Sequence, residues 1–313
     1  MSAAALVAAG APGAVVSIDG DAVAAGLADV DGGEPMTVAH RFRIGSVTKT
    51  YVGALALLLV EEGVVDLDAT GVVAEVPELT LRLLLSHRSG LANYMDGDEI
   101  ARDRERDPFR RADPARSVAA ALREPRLFAP GESVSYCNTN YQAAGLALER
   151  AAGAPLEDLL RARIFAPLEL ARTTFATESI IEEGLATGYA FADGWYPAGE
   201  VTAHLDGAWA DGAIVADAAD VAAFFTALLG GQLLTADRLA EMKRGALSET
   251  GRTAGLGLIG YPGRPVWGHN GDMPGYTAAA RALEDGSRVV VALVNAQGAA
   301  FAEAVPRAAE ELI

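Results

Sequence analysis

Cysteine occurs once in this chain, as Cys137, and lysine twice, as Lys49 and Lys243. One thiol can neither close an intrachain disulfide nor build a thiolate metal cluster, so the fold rests on packing. With 313 residues the chain can bury one large core, or two lobes sharing one, without covalent staples. No apolar run approaches the roughly 20 residues that span a bilayer. Residues 1–7 carry no basic group ahead of their short apolar run, so no secretory leader is legible and a cytoplasmic location is expected; a chain already trimmed of its leader reads the same way. Positive charge is scarce too: 42 acidic residues face 25 basic ones, for a formal charge of -17. Such a surface repels nucleic-acid phosphates and anionic membranes, both of which bind proteins through Lys and Arg. The partner that remains is a small-molecule or peptide substrate, bound by a monomer that needs no cofactor.

The shortage of lysine says most. The other basic residues are Arg, which stays charged, whereas a buried Lys can lose its proton near neutral pH. Lys243, in Glu241-Met-Lys-Arg244, reads as a solvated helix face. Lys49 instead follows Ser46 by three residues, at the start of an apolar helix expected over 46–63. That spacing stacks the two side chains one turn apart on one face. A serine hydroxyl attacks a carbonyl only when a base takes its proton, and a desolvated neutral lysine can be that base. The helix start adds free N–H donors and partial positive charge beside Ser46. Capping by Ser46, with Lys49 in solvent, is the competing reading. A helix apolar nearly all round argues for burial instead.

Strand signals gather at the two ends of the chain. Residues 13–27 read as two strands joined at Asp19-Gly20, a hairpin dipeptide. Strands are expected again at 255–260, 265–268, 276–283 and 287–295, with a turn at Glu284-Asp285-Gly286 and a closing helix from about residue 300. Between them the pattern is helical, at 80–86, 114–123, 138–152, 155–165, 217–229 and 235–243. The expected fold class is therefore α/β (α+β). One antiparallel sheet built from residues 1–67 and 246–313 is flanked by N- and C-terminal helices, a mostly helical lobe at 68–245 is inserted, and the site lies in the cleft between lobes.

Two further segments carry chemistry. Gly131-Glu-Ser-Val-Ser-Tyr136-Cys-Asn138 reads as a turn entering a helix, where Tyr136 could relay a proton and Asn138 could orient Lys49 or a substrate amide. A buried Tyr and an Asn helix cap are the plainer alternative. Trp267-Gly-His269-Asn270-Gly271-Asp272 sets a His between glycines at a strand edge, where a ligand can approach the backbone.

Together, Ser46-Val-Thr-Lys49, Tyr136-Cys-Asn138 and His269-Asn-Gly271 resemble, in order and spacing, the serine β-lactamase and penicillin-recognising DD-peptidase superfamily. The class C β-lactamase and D-alanyl-D-alanine carboxypeptidase branch is the most similar. The resemblance extends to residues 40–45, to Leu85-Ser-His-Arg-Ser-Gly-Leu91 and to residues 212–220. It implies a β-lactamase/transpeptidase-like fold and an acyl-Ser46 intermediate formed on an amide or ester. By that resemblance Lys49 and Tyr136 move the proton, Asn138 and His269 line the site, and the backbone N–H groups of Ser46 and Asp272 form the oxyanion hole. Asn270, Gly271 and Asp272 become the substrate-binding edge. No metal is implied, and His40, His87, His204 and His269 show no ligand-like pairing.

Relatives that hold a substrate's terminal carboxylate present hydroxyl and cationic groups beside the His-x-Gly strand. Here Asn270 and Asp272 occupy those places, and the strand expected at 255–260 offers no cation. An Asp repels a carboxylate, so esterase, D-amino-acid amidase and transacylase or peptide-cyclase activities stand as alternatives to a carboxypeptidase. Residues 96–113, rich in both charges, are expected to roof the cleft.

Overall fold

The computed structural model describes residues 1–178, 182–192, 199–204 and 207–313. Three strands come from the front of the chain, β1 (Gly13–Ile18), β2 (Asp21–Asp29) and β3 (Glu34–Pro35). Six more come from its end: β4 (Ala246–Leu247), β5 (Thr253–Ala254), β6 (Ile259–Tyr261), β7 (Val266–Met273), β8 (Tyr276–Leu283) and β9 (Val289–Val294). Among the described residues they form one nine-stranded sheet in the order β3-β2-β1-β9-β8-β7-β6-β5-β4. Its pairs are antiparallel, and the β1–β9 ladder, Ala14 opposite Val294 through Ile18 opposite Val290, joins the two ends of the chain.

The helices are α1 (Ala3–Ala8), α2 (Thr48–Glu61), α3 (Leu81–Leu85), α4 (Asp98–Arg106), α5 (Pro114–Ala121), α6 (Thr139–Ala152), α7 (Leu156–Leu160), α8 (Ala218–Leu229), α9 (Ala236–Lys243) and α10 (Ala299–Leu312). Thr80, Asp113 and Asp217 start α3, α5 and α8 by accepting from the main chain of the first turn. Successive residues of β9 serve opposite faces of the sheet. Val289, Val291 and Leu293 join the core under α2 and α8, whereas Val290, Ala292 and Val294 join the one under α1 and α10. Burial on both faces explains why this strand reads as a continuous apolar run.

The structure departs from the sequence expectations in particular places. Ser46 stands in a 3₁₀ turn, Gly45–Val47, and α2 begins only at Thr48. The strand expected at 255–260 shrinks to Ile259–Tyr261, because Gly257 takes a left-handed φ of +82° where the loop crosses α2. β7 runs on past 268 to Met273 and so carries the whole His269–Asp272 motif. Inside the segment read as a helical lobe, α8 packs against β1, β8 and β9 of the sheet.

Two close approaches position the site. Every residue of α2 from Thr48 to Leu57 is buried. A Cβ on Gly53 would lie 2.2 Å from Leu256 O, and Thr50 Oγ1 donates to Gly257 O at 2.7 Å, so the helix is pressed against the loop before β6. At the other contact, a Cβ on Gly271 would lie 1.9 Å from Ile44 O and 3.1 Å from Ser46 N. Only glycine there lets β7 touch the turn that holds Ser46. No helix among the described residues is long and apolar enough to cross a membrane.

Candidate active site

Lys49 is fully buried, and its Nζ donates to Ser46 Oγ at 2.9 Å and to the Asp211 carbonyl at 2.8 Å. Burial pulls the Lys49 pKa down to about 8, against an upward pull from Asp211. A neutral amine is thus accessible near physiological pH. With one hydrogen committed to the Asp211 carbonyl, the lone pair of that amine can face the Ser46 hydroxyl.

Asp211 is held in turn by a buried network. Its Oδ2 accepts from the Tyr94 hydroxyl at 2.8 Å, and its Oδ1 accepts from Gln142 Nε2 at 2.9 Å and Trp209 N at 3.0 Å. Sequence reasoning missed Asp211, Tyr94 and Gln142. The weak signal available was Asp211 itself, an acidic residue adjoining the apolar 212–216 run.

Tyr136 lines the cleft beside Ser46, which acts on its hydroxyl, and Lys49 Nζ lies 5.1 Å from its ring centroid. Burial of the hydroxyl end raises the phenol pKa above its ordinary value; the Ser46 partner and the 45% exposure of the residue moderate that rise. The phenol therefore stays protonated where Lys49 can already be neutral. Asn138 also lines the cleft, but its Nδ2 points to the Met95 sulfur at 3.0 Å, and its N donates to Asn93 Oδ1 at 3.1 Å. It stands at the N-cap of α6 with no capping bond from its side chain, and Lys49 is oriented by Asp211 rather than by Asn138.

β6 pairs only with Val266–Gly268, so from His269 onward β7 is an open sheet edge. His269 is buried, its Nδ1–H donates to Asn270 O at 2.5 Å, and burial beside Lys49 pulls its pKa down to about 3. The ring is neutral and keeps a free Nε2 lone pair. The Gly271 contact brings the Ser46 and Asp272 amides together, since a Cβ on Gly45 would lie 2.8 Å from Asp272 N. Asn270 lines the cleft with its Oδ1 already taken by Arg281 Nη2 at 2.6 Å. Asp272 lines it as well; burial raises its pKa to about 6, opposed by a 3.1 Å hydrogen bond from Thr277 Oγ1.

The cleft encloses about 740 Å³ over Ser46, Tyr136, Asn138 and residues 269–274. A second compartment of about 410 Å³ adjoins it across Tyr136, Ile259 and His269, lined also by His87, Leu127, Phe128, Arg252 and Leu258. Of the expected roof, Asp96 alone among the described residues reaches the first compartment; Arg102 faces a neighbouring hollow.

The geometry agrees with the comparisons. The Beta-lactamase family profile matches residues 3–312. Penicillin-binding protein 4 of Amycolatopsis lactamdurans is 30% identical over 92% of this chain and 82% of its own length. The structure of a D-stereospecific amidohydrolase from Streptomyces sp. superposes with a TM-score of 0.82 at 31% identity, covering 95% of this chain and 93% of that one. D-amino acid amidase from Ochrobactrum anthropi SV3 gives 0.83 at 29% identity, covering 98% and 93%. With a family match over nearly its whole length and a mixed α/β fold shared with these enzymes, the chain belongs to the Beta-lactamase family and is a serine hydrolase.

Proposed function

We propose that the enzyme hydrolyses D-aminoacyl amides and esters that carry a free α-amine. Ser46 Oγ attacks the carbonyl carbon while the neutral Lys49 amine takes its proton. The oxyanion forms against the Ser46 and Asp272 N–H groups, where each donor is worth about 2.7–4 kcal/mol. The Tyr136 phenol hands its proton to the departing amine and is reprotonated through Lys49. Water then releases the acyl group by the reverse proton path.

The observation that carries the substrate class is the charge of the first compartment. Among the described residues Asp96, Asp211 and Asp272 line it and no Arg does; the cation beside it, Lys49, sits at the Ser46 end and donates to Ser46 Oγ and the Asp211 carbonyl. The Asp211 carboxylate is spent on three hydrogen bonds and Asp96 is exposed to solvent. Asp272 forms no ion pair among the described residues, and above pH 6 it carries a charge that attracts an ammonium and repels a carboxylate. The D preference is supported by the two D-specific enzymes of the same fold. Asp272→Asn is expected to raise KM for D-amino acid amides roughly 10-fold, the equivalent of about 1.4 kcal/mol, while leaving KM for an uncharged ester unchanged. Equal effects on both substrates would remove the amine from the reading.

One observation favours a second reading, a D-alanyl-D-alanine carboxypeptidase-like enzyme. Arg252, absent from the sequence argument, lines the second compartment and shares Glu310 with the closer and fully buried Arg281. Its guanidinium could hold a leaving-group carboxylate. Benzylpenicillin separates the two readings: the first expects no lasting adduct by intact mass, and a stable adduct mapped to Ser46 would put the second ahead.

A further inference from the structure

Tyr136 poses a packing problem. At 45% exposure it is not fixed by the core, yet its hydroxyl must meet Ser46 to within a few tenths of an ångström. One residue restrains it from three directions. The His87 carbonyl accepts from Ser135 N at 3.0 Å, and His87 Nδ1 accepts from Cys137 N at 3.1 Å, so the main chain is tied on both sides of Tyr136. The His87 ring then lies against the Tyr136 ring, with centroids 4.5 Å apart and planes 34° apart.

His87 does this from a left-handed backbone, φ 57°, one of three non-glycine residues so placed among the described residues. Such a conformation is costly for a side chain with a Cβ and persists only where the surroundings hold it. They do hold it: His87 is 5% exposed, its ring is backed by Tyr141 at 5.4 Å, and the Tyr141 hydroxyl donates to Leu85 O at 2.9 Å. Because Nδ1 accepts a main-chain N–H, the ring proton is on Nε2. Protonating Nδ1 would break the bond to Cys137, and burial, with Lys49 and His269 nearby, lowers the His87 pKa and so favours the neutral ring.

We propose that His87 is the positioning residue for Tyr136: bonds to the main chain on both sides of the tyrosine, with ring contact, aim the phenol at Ser46 and at the departing group. The inference rests on the reading of Tyr136 as the proton carrier. It assigns His87 no contact with substrate.

Three variants and a cycle test it. His87→Gly keeps the backbone conformation at no steric cost while removing the ring and the Nδ1 acceptor. It is expected to lower kcat roughly 10²-fold with KM changed less than about 3-fold. His87→Asn, which tolerates the left-handed region and offers Oδ1 to Cys137 N, is expected to recover at least about a tenth of the wild-type kcat. The decisive comparison is His87→Gly placed on Tyr136→Phe: a residue acting through Tyr136 costs nothing further once the phenol is gone. An equal loss in both backgrounds, or a folded His87→Asn enzyme as slow as His87→Gly, overturns the proposal. Full kcat in Tyr136→Phe alone overturns the reading beneath it, and the proposal with it.

Discussion

Ser46→Ala is expected to lower kcat/KM on every ester and amide substrate by at least about 10⁴-fold, the scale of loss when a serine nucleophile is removed from a group that works as a unit. The fold is expected to survive. Ser46 caps no helix by its side chain, and its Oγ serves Lys49 and Tyr136 rather than the core. Its removal leaves Lys49 with the Asp211 carbonyl still in place, so the penalty is one lost acceptor at a site open to the cleft, about 1–3 kcal/mol at most. Thermal melts followed by circular dichroism should therefore both show a single cooperative transition, the variant's lower by no more than about 10 °C. An activated ester should add its acyl mass to the wild-type chain and not to the variant. Residual turnover of more than a few per cent would place the nucleophile elsewhere in the cleft.

Much of this arrangement was legible because it is local. The Ser46 to Lys49 spacing needs only helical periodicity, and the hairpin at Asp19-Gly20 needs only the left-handed φ that Asp19 and Gly20 both adopt. The His269-Asn-Gly271 stretch signalled a close backbone approach without showing its purpose, which is contact with the Ser46 turn. β7 ran past its expected end because β8 pairs with it all the way to Met273 opposite Tyr276, a long-range ladder that outweighs the poor strand preference of Gly, His and Asn. The network around Asp211 was illegible for the same reason. Its hydrogen bonds join residues separated in sequence by 162 (Lys49), 117 (Tyr94) and 69 (Gln142), and no local pattern marks any of them. Tyr-x-Asn spacing fixes where the Asn138 amide starts and not which way it turns, and here its Nδ2 meets the Met95 sulfur rather than Lys49.

The second large effect separates what Lys49 contributes as a base from what it contributes as a charge. With a pKa of about 8, roughly one Lys49 in ten is neutral at pH 7. If the neutral amine is the reactive form, kcat/KM for an uncharged ester rises about 10-fold per pH unit below 8 and levels off above it. The limb belongs to Lys49 because His269 is neutral far below this range, Asp272 titrates lower, at about 6, and the Tyr136 phenol ionises above it. Lys49→Arg keeps positive charge and hydrogen-bond donors beside Ser46 and the Asp211 carbonyl but cannot accept a proton, since a guanidinium stays charged even when buried. It is expected to lose about 10²–10⁴-fold in kcat/KM and to lose the limb near pH 8. Lys49→Met, unbranched and of similar length, controls for packing in this fully buried position and is expected to fall at least as far. An Arg variant within about 10-fold of wild type would mean that the cation, stabilising charge on Ser46, does the catalysis. Proton removal would then pass to the Tyr136 phenolate, which the raised pKa keeps scarce, and the limb near pH 8 would have to disappear from the wild-type profile as well.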